Sequence, residues 1–528
     1  MKLKTKLTIV VLALASTLFS SCSNEKEDVS LISIVPEDCA ALIYMAGDEN
    51  MGMPFEKQPG INSAFKAITS NELIKEKLAA FAKDLSEETN GLSAYFLPQN
   101  DPLWLAAKYM KLKNFEIVAF ISGEITADSN SVPEITIAAQ IPDESILDAF
   151  KKALKGRSTE INVSGKAVYK IAGKPRKGKS NEQAAYVAID APYIYAATTE
   201  KALKHVVDSL ESKPKTCIKD SKLFKKVCKI NDNIYVVLFV DPSKIKTKGA
   251  DGKLHAQMQG ALEAVGAYSQ MKSLTACASE IKIAFAPGFL KKQGIKFPPL
   301  KYCADDNFSS IDNPLFYAAI SYPEISGTNG EMLQAMPITQ MVDSLLSGSE
   351  IEISMSQMQL DKIEALATIN VDDAQKAMQR PEFAQLMLMA NSAGDGKNAV
   401  KKLTDKSIAF AFSSTNGADR IIEKAASGKN NAKMLAKIKA PEDAFAKFYV
   451  DSLAINKAQI KSAEELGLDK IDSDARISYE ISKITVSCLK KNVGYGYAAF
   501  DGDTLSIYFD AEIEYDYENL AENIKKIK

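Results

Sequence analysis

Residues 184–203, A-A-Y-V-A-I-D-A-P-Y-I-Y-A-A-T-T-E-K-A-L, carry the reading of the fold. Ala184–Ile189 and Tyr193–Ala197 have the β-branched and aromatic content of strands, and Asp190-Ala191-Pro192 between them has the composition of a tight turn. Two strands this close in sequence pair antiparallel, because a parallel return needs a crossover of about a dozen residues. Thr198 or Thr199 then caps a helix over Glu200–Ser209. Strand, turn, strand and capped helix together make a unit of an α+β protein.

The same grammar extends in both directions. Upstream, a fold that opens at Leu31 runs through an extended stretch, a Pro36-Glu37-Asp38 turn and an apolar strand. Helical spacing covers Asn62–Glu87, and Asp101–Met110 reads as a short helix. Strands follow at Phe115–Ile121 and Glu134–Ala139, then a helix through Ile146, Phe150 and Leu154 with Asp143 as its cap, then a strand over Val163–Ile171. Downstream, a helix over Ser221–Ile230 leads into the strand Ile234–Val240. The tail reads as a strand over Ala475–Leu489, a hairpin of Tyr497–Phe500 and Thr504–Phe509 about Asp501-Gly502, and a helix from Tyr517.

Lys291–Asn313, rich in Pro, Gly, Asp and Lys, marks a boundary between modules at 31–300 and 301–528. Beyond it the order partly recurs. The strand Lys362–Ile369 leads to a helix from Asp372, as Ile135–Gln140 leads to the helix after Asp143. The strand Ser407–Ser413 precedes helices at Ala418–Ala426 and Ala432–Ile438. Phe445–Val450 with Asp451-Ser452 parallels Ile234–Val240 with Asp241-Pro242. The expected fold is therefore α+β, with mainly antiparallel sheets covered by helices on one face, in two related modules.

The first 22 residues, MKLKTKLTIVVLALASTLFSSC, say where the chain works. A cationic start at Lys2, Lys4 and Lys6, a short apolar run and Ser20-Ser21 form the layout of a secretory signal. Leu18-Phe19-Ser20-Ser21-Cys22 resembles the bacterial lipoprotein processing site, with Phe19 where leucine is usual. That resemblance implies removal of residues 1–21 and lipidation of Cys22, giving an outer-membrane, lipid-anchored protein facing the periplasm or the cell surface. Residues 22–30 form an acidic tether, resembling the export tag of Bacteroidota surface lipoproteins. Together with "I-V-P-E-D-C-A-A-L-I" (34–43) and the block at 184–203, these features resemble an uncharacterised family of Bacteroidota lipoproteins. The family implies a location and an architecture but no chemistry.

Cleavage leaves 507 of the 528 residues, with 62 basic against 67 acidic side chains. Such a surface has no general attraction for phosphate backbones, so nucleic acid is not an expected partner. Six further cysteines, Cys39, Cys217, Cys228, Cys277, Cys303 and Cys488, lack metal-site spacing, and both free thiols and bridges are compatible with it.

No motif reads as a catalytic, cofactor or metal site. Gly173-Lys-Pro-Arg-Lys-Gly178-Lys179-Ser180 matches a phosphate-loop pattern, but Pro175 lies inside it and a strand, not a helix, follows. What it leaves is a basic loop in which Lys174, Arg176, Lys177 and Lys179 suit an anion such as a lipid headgroup or acidic glycan. Gly494-Tyr-Gly496-Tyr-Ala-Ala499 resembles a degenerate dinucleotide fingerprint. It too lacks the helix, and glycines in a strand mark a bulge or close packing. His205 and His255 cannot supply a typical zinc site without several carboxylates, and no G-x-S-x-G elbow accompanies them for a serine triad, which leaves His255 as a base or as a surface residue. Eight of sixteen methionines fall between Met332 and Met389, a composition for a pliable partner surface, with Cu(I) binding as the alternative. The expected function is a binding or scaffolding module for another envelope component, protein or glycan. The alternatives are a hydrolase using distant carboxylates and a carrier of an apolar ligand.

Overall fold

The structure, a computed structural model, describes residues 30–47, 60–72, 76, 115–126, 133–141, 143–155, 158–172, 184–212, 214–230, 234–246, 260–273, 275–301, 314–326, 346, 348–358, 362–384, 388, 397–415, 417–426, 438–465, 467 and 473–525. The chain divides into two compact units, residues 1–274 with 281–284 and 517–528, and residues 275–280 with 285–516. The division runs through the strand Ala276–Phe285, ahead of the Lys291–Asn313 stretch that composition marks.

In the first unit the longer strands are β1 (Cys39–Gly47), β2 (Phe115–Ser122), β3 (Glu134–Gln140), β4 (Thr159–Val163), β5 (Lys166–Ala172), β6 (Ala184–Asp190), β7 (Tyr193–Ala197), β8 (Ile234–Val240) and β9 (Leu262–Ser273). They form one sheet in the order β9-β8-β1-β2-β3-β7-β6-β5-β4, every neighbouring pair antiparallel. Its helices are α1 (Ile61–Ser70), α2 (Glu144–Leu154), α3 (Glu200–Glu211) and α4 (Lys222–Val227). The second unit contributes β10 (Phe316–Ser321), β11 (Glu350–Met358), β12 (Ile363–Asn370), β13 (Asn398–Thr404), β14 (Ser407–Ser413), β15 (Ala444–Asp451), β16 (Leu489–Asp501) and β17 (Thr504–Tyr515). Their order is β17-β16-β15-β10-β11-β12-β14-β13, again antiparallel throughout. The helices of five or more residues here are α5 (Ala374–Met378), α6 (Ala418–Ala426), α7 (Ser452–Glu465) and α8 (Ser473–Cys488), while α9 (Tyr517–Ile524) belongs to the first unit. The fold is α+β and dominated by antiparallel sheet.

Helix starts follow local chemistry. Asp143 accepts from the amides of Ser145 and Ile146 at the head of α2, Thr199 from Ala202 at α3, and Asp373 from Lys376 at α5. Alternation along the strands sends neighbouring residues to opposite faces, and the first unit buries both. Val118, Phe120, Ala138 and Tyr195 pack with Leu203, Val206 and Val207 of α3. Ile117, Ala139, Val187 and Ile194 pack with Ile146, Leu147, Phe150 and Leu154 of α2. Helices thus lie on both faces of this sheet, correcting the expectation of one covered face. The sequence marks α2 and α3 as amphipathic but does not say on which side each returns.

Two further expectations change. Ala475–Leu489 is helical (α8), not a strand. Its apolar residues alternate, but Ile477, Ile481, Ile484 and Cys488 also fall at helical spacing, and a stretch of this length favours the helix. The strand expected over Val163–Ile171 is a hairpin, β4 and β5, that turns at Ser164-Gly165 with φ of +49° and +80°. Of the helix expected over 62–87, residues 61–70 are described as helix, and Asp101–Met110 lies outside the described residues. The hairpin at Asp501-Gly502 forms as read, with Asp501 paired to Thr504.

Candidate binding face

The second unit's sheet is built from strands whose two faces differ in chemistry. On one face, strand pairing lays down three apolar rows across seven strands. The first row runs Ile507, Ala498, Ala446, Ile320, Ile351, Ile369 and Ile408. The second runs Phe509, Gly496, Phe448, Ala318, Ile353, Ala367 and Phe410. The third runs Ala511, Gly494, Val450, Phe316, Met355, Ala365 and Phe412. No polar residue interrupts the lattice.

Each flank of this face is covered. At one side Ile408, Val400 and Phe410 pack with Ala374, Ala377 and Phe383. At the other, Phe297, Phe445 and Phe500 cluster with centroids 4.7–5.4 Å apart over Ala446 and Ala498. Between the flanks the sheet opens: Ile320 is 40% exposed and Ile353 36%. These two are diagonal neighbours on β10 and β11, since Ile320 pairs with Ile351 and Ala318 with Ile353. Ile363, at the start of β12, is exposed as well. An open aliphatic strip in the middle of a sheet, rather than scattered single residues, is the pattern that marks an interaction surface.

The glycines of the fingerprint-like stretch belong to this face. A Cβ on Gly494 would stand 2.2 Å from the Phe509 ring, and one on Gly496 would stand 1.9 Å from the Tyr508 carbonyl oxygen and 2.6 Å from the Phe448 ring. Phe448 and Phe509 stack at 6.0 Å with 14° between planes. Close packing, not cofactor binding, is what these glycines serve.

The opposite face holds a buried polar network. The Tyr317 hydroxyl donates to Glu352 Oε2 and the Asn370 amide to Oε1, each at 2.7 Å. Glu352 and Tyr317 are essentially inaccessible. A buried carboxylate is tolerated when donors meet it, and both oxygens here are met. Glu350, on the same face of β11, accepts from the Lys301 amide. Thr368, directly opposite Glu352, is buried, and its hydroxyl has no partner among the described residues. Burial pushes the Tyr449 phenol up to about 12, with the charges of Asp451 and Glu512 adding to it.

In the first unit a comparable carboxylate, Glu116 on β2, accepts from Ser30 Oγ and Tyr44 Oη, both at 2.9 Å, and from the Leu31 amide. Its burial outweighs these donors and raises its pKa above the ordinary carboxylate value. Leu31, Ile32, Ile34 and Val35, just ahead of β1, have no exposed surface. This polar seat is not legible in the sequence, because its members lie far apart along the chain and no local pattern joins them.

Cys22 and the basic loop of Lys174, Arg176, Lys177 and Lys179 lie outside the described residues, as do His255 and Cys303. His205 Nε2 lies 3.0 Å from the Ile34 carbonyl oxygen, a structural contact rather than a catalytic one. Cys39, Cys217 and Cys228 are free thiols, and burial pushes Cys39 and Cys228 up to about 12. Of the methionine-rich stretch, Met355 belongs to the apolar lattice and Met378 packs beside Phe383. No group of three metal-ligating side chains occurs among the described residues, and no described helix is long and apolar enough to cross a membrane. Comparison with family models, curated proteins and solved structures finds no match to this chain.

Proposed function

We propose that the chain is a lipid-anchored envelope protein built from two copies of one α+β module, and that the open face of the second module binds a partner protein. The anchoring half rests on residues 1–30, where the signal layout and Cys22 coincide. The acidic tether would leave the module at Ser30 and reach back to the lipid.

The two-module reading rests on strand order and register. β9-β8-β1-β2-β3-β7-β6 in the first unit and β16-β15-β10-β11-β12-β14-β13 in the second have the same sequence of neighbours. Residue pairing agrees as well. Ala41 faces Val240, just before Asp241, and Phe316 faces Val450, just before Asp451. Ala46 faces Glu116, which faces Gln140, three residues before the cap Asp143. Ser321 faces Glu350, which faces Asn370, three residues before the cap Asp373. One register therefore aligns both modules across four strands.

That alignment gives the partner reading its main support. Met45 in the first module and Ile320 in the second occupy equivalent positions, yet Met45 is 5% exposed and Ile320 40%. In the first module the eleven residues of α2 cover Met45 on this face, while Leu238, opposite Ile43, is left 40% exposed. In the second the corresponding helix, α5, has five, followed by a helical turn at residues 381–384. A flat strip of isoleucines favours an apolar protein surface over a sugar, which would need polar groups at the floor. The test is photo-cross-linking in intact cells from a photoreactive residue at position 353, compared with one at Glu423 on the exposed side of α6. A partner captured from 353 and not from 423 supports the proposal, and equal or no capture removes it.

A further inference from the structure

We infer that Glu116 is a latch that sets how much chain is free between the first module and whatever holds Cys22. The inference rests on the anchoring reading above for its consequence, but its geometry stands alone. Leu31–Ile34 forms a single 3₁₀ turn, and Glu116 ties down its start through the Ser30 hydroxyl and the Leu31 amide. Tyr44 holds the same carboxylate from β1. The strap is then closed along its length: the Ser33 hydroxyl donates to the Ser30 carbonyl, His205 meets the Ile34 carbonyl, and the Ile218 amide donates to the Val35 carbonyl.

The second module repeats the device. Glu350 is the register equivalent of Glu116, and it too accepts a backbone amide, that of Lys301, from the segment ahead of its module's first strand. Most of the face around these two glutamates has changed between modules. Val118 is replaced by Glu352, Tyr44 by Ala319 and Tyr195 by Ala409 at equivalent positions. The glutamate that receives the leading segment stays the same, which marks it as the seat of that segment rather than as core filling.

Cys22 stands eight residue steps ahead of Ser30, a contour of at most about 28 Å. Were the whole strap to leave with it, buried Leu31, Ile32, Ile34 and Val35 included, the contour from Cys22 to Cys39, where β1 begins, would be seventeen steps or about 60 Å. Glu116 and the buried strap it starts thus halve the reach of the tether and hold the first module close to its anchor.

Hydrogen exchange on the full-length chain in detergent, with and without Cys22→Ala, tests this. Glu116→Met removes the acceptor at similar volume. It should raise exchange over residues 31–35 ten- to hundredfold, the loss expected for hydrogen bonds to a charged group, while residues 118–120 change less than threefold. Glu116→Gln should act weakly, because its carbonyl oxygen can still take the Leu31 amide while the two hydroxyls turn to accept. Tyr44→Phe, which keeps the core, should give a three- to tenfold rise, and decides the matter should the methionine variant not fold. Unchanged exchange over 31–35 in Tyr44→Phe and Glu116→Met overturns the latch, as does an equal rise over 31–35 and 118–120. The Cys22→Ala chain gives the same readout, so failure of the latch and failure of the anchor are told apart.

Discussion

Gly496→Ala is the sharpest test of how the second sheet is packed. Glycine is not required there by its backbone, which lies outside the left-handed region. Alanine by itself should stabilise by roughly 0.4–1 kcal/mol, through a less flexible unfolded chain. The surroundings reverse the sign. The new methyl would stand 1.9 Å from the Tyr508 carbonyl oxygen, a backbone atom of β17 that cannot rotate away, and 2.6 Å from Phe448. Relief requires β16 and β17 to part and the Phe448–Phe509 stack to slide. Overpacking of this kind costs about 1–3 kcal/mol, and loss of the aromatic pair about 0.5–1.5 kcal/mol. The net expectation is a loss of about 2–3 kcal/mol. Urea denaturation followed by far-UV circular dichroism measures it from the midpoint shift at constant slope. Gly260→Ala, at a position with open space and no left-handed backbone, serves as the control and should be neutral. A neutral or stabilising Gly496→Ala would refute the packing argument and reopen another role for these glycines.

Asp143→Ala removes the acceptor for the Ser145 and Ile146 amides and should cost about 1 kcal/mol of stability in the same assay. Glu116 gives stability a signature with pH. Its raised folded pKa means the native state holds that proton more tightly than the unfolded chain, so its contribution is full below the ordinary carboxylate value. It is lost as pH rises through the folded value, and each tenfold difference in proton affinity between the two states is worth about 1.4 kcal/mol. Glu116→Gln should flatten that part of the stability–pH curve, and an unchanged curve would count against the burial of this carboxylate. Iodoacetamide at pH 8 should label Cys217 before Cys39 and Cys228, whose thiols burial pushes up to about 12; mass spectrometry of timed samples reads the order, and early labelling of Cys39 would contradict it.

The sequence makes elements legible and leaves their return paths open. Asp143, Thr199 and the Asp501-Gly502 turn act through local chemistry, and each lies where its spacing places it. The Asp241 and Asp451 correspondence is visible as a pattern, but its meaning needs strand pairing. α8 reads wrongly as a strand because Ala475, Ile477, Tyr479 and Ile481 alternate, while Ile477, Ile481 and Ile484 also fall at helical spacing. The strands Phe316–Ser321, Glu350–Met358 and Leu262–Ser273 are absent from the sequence reading. Glu350, Glu352 and Ser354 alternate with isoleucines there, and without the partner strand nothing says which side is buried. The Glu116 seat joins residues 30, 31, 44 and 116, a constellation that only tertiary structure assembles. The apolar strip is hidden for the same reason: Ile320 and Ile353 meet only through pairing.

The central claim, that the second module's open strip is a partner surface, is tested most directly by Ile320→Thr with Ile353→Thr. Threonine keeps the branched shape a strand favours, and because both residues are already more than one-third exposed the pair should cost no more than about 2 kcal/mol in stability. Quantitative cross-linking in intact cells, from a photoreactive group at Ile363 beside the strip, reads partner occupancy. A tenfold or greater loss of the captured species, with the protein's own level unchanged, is the predicted result. Capture that persists at the wild-type level in the double variant would contradict the account.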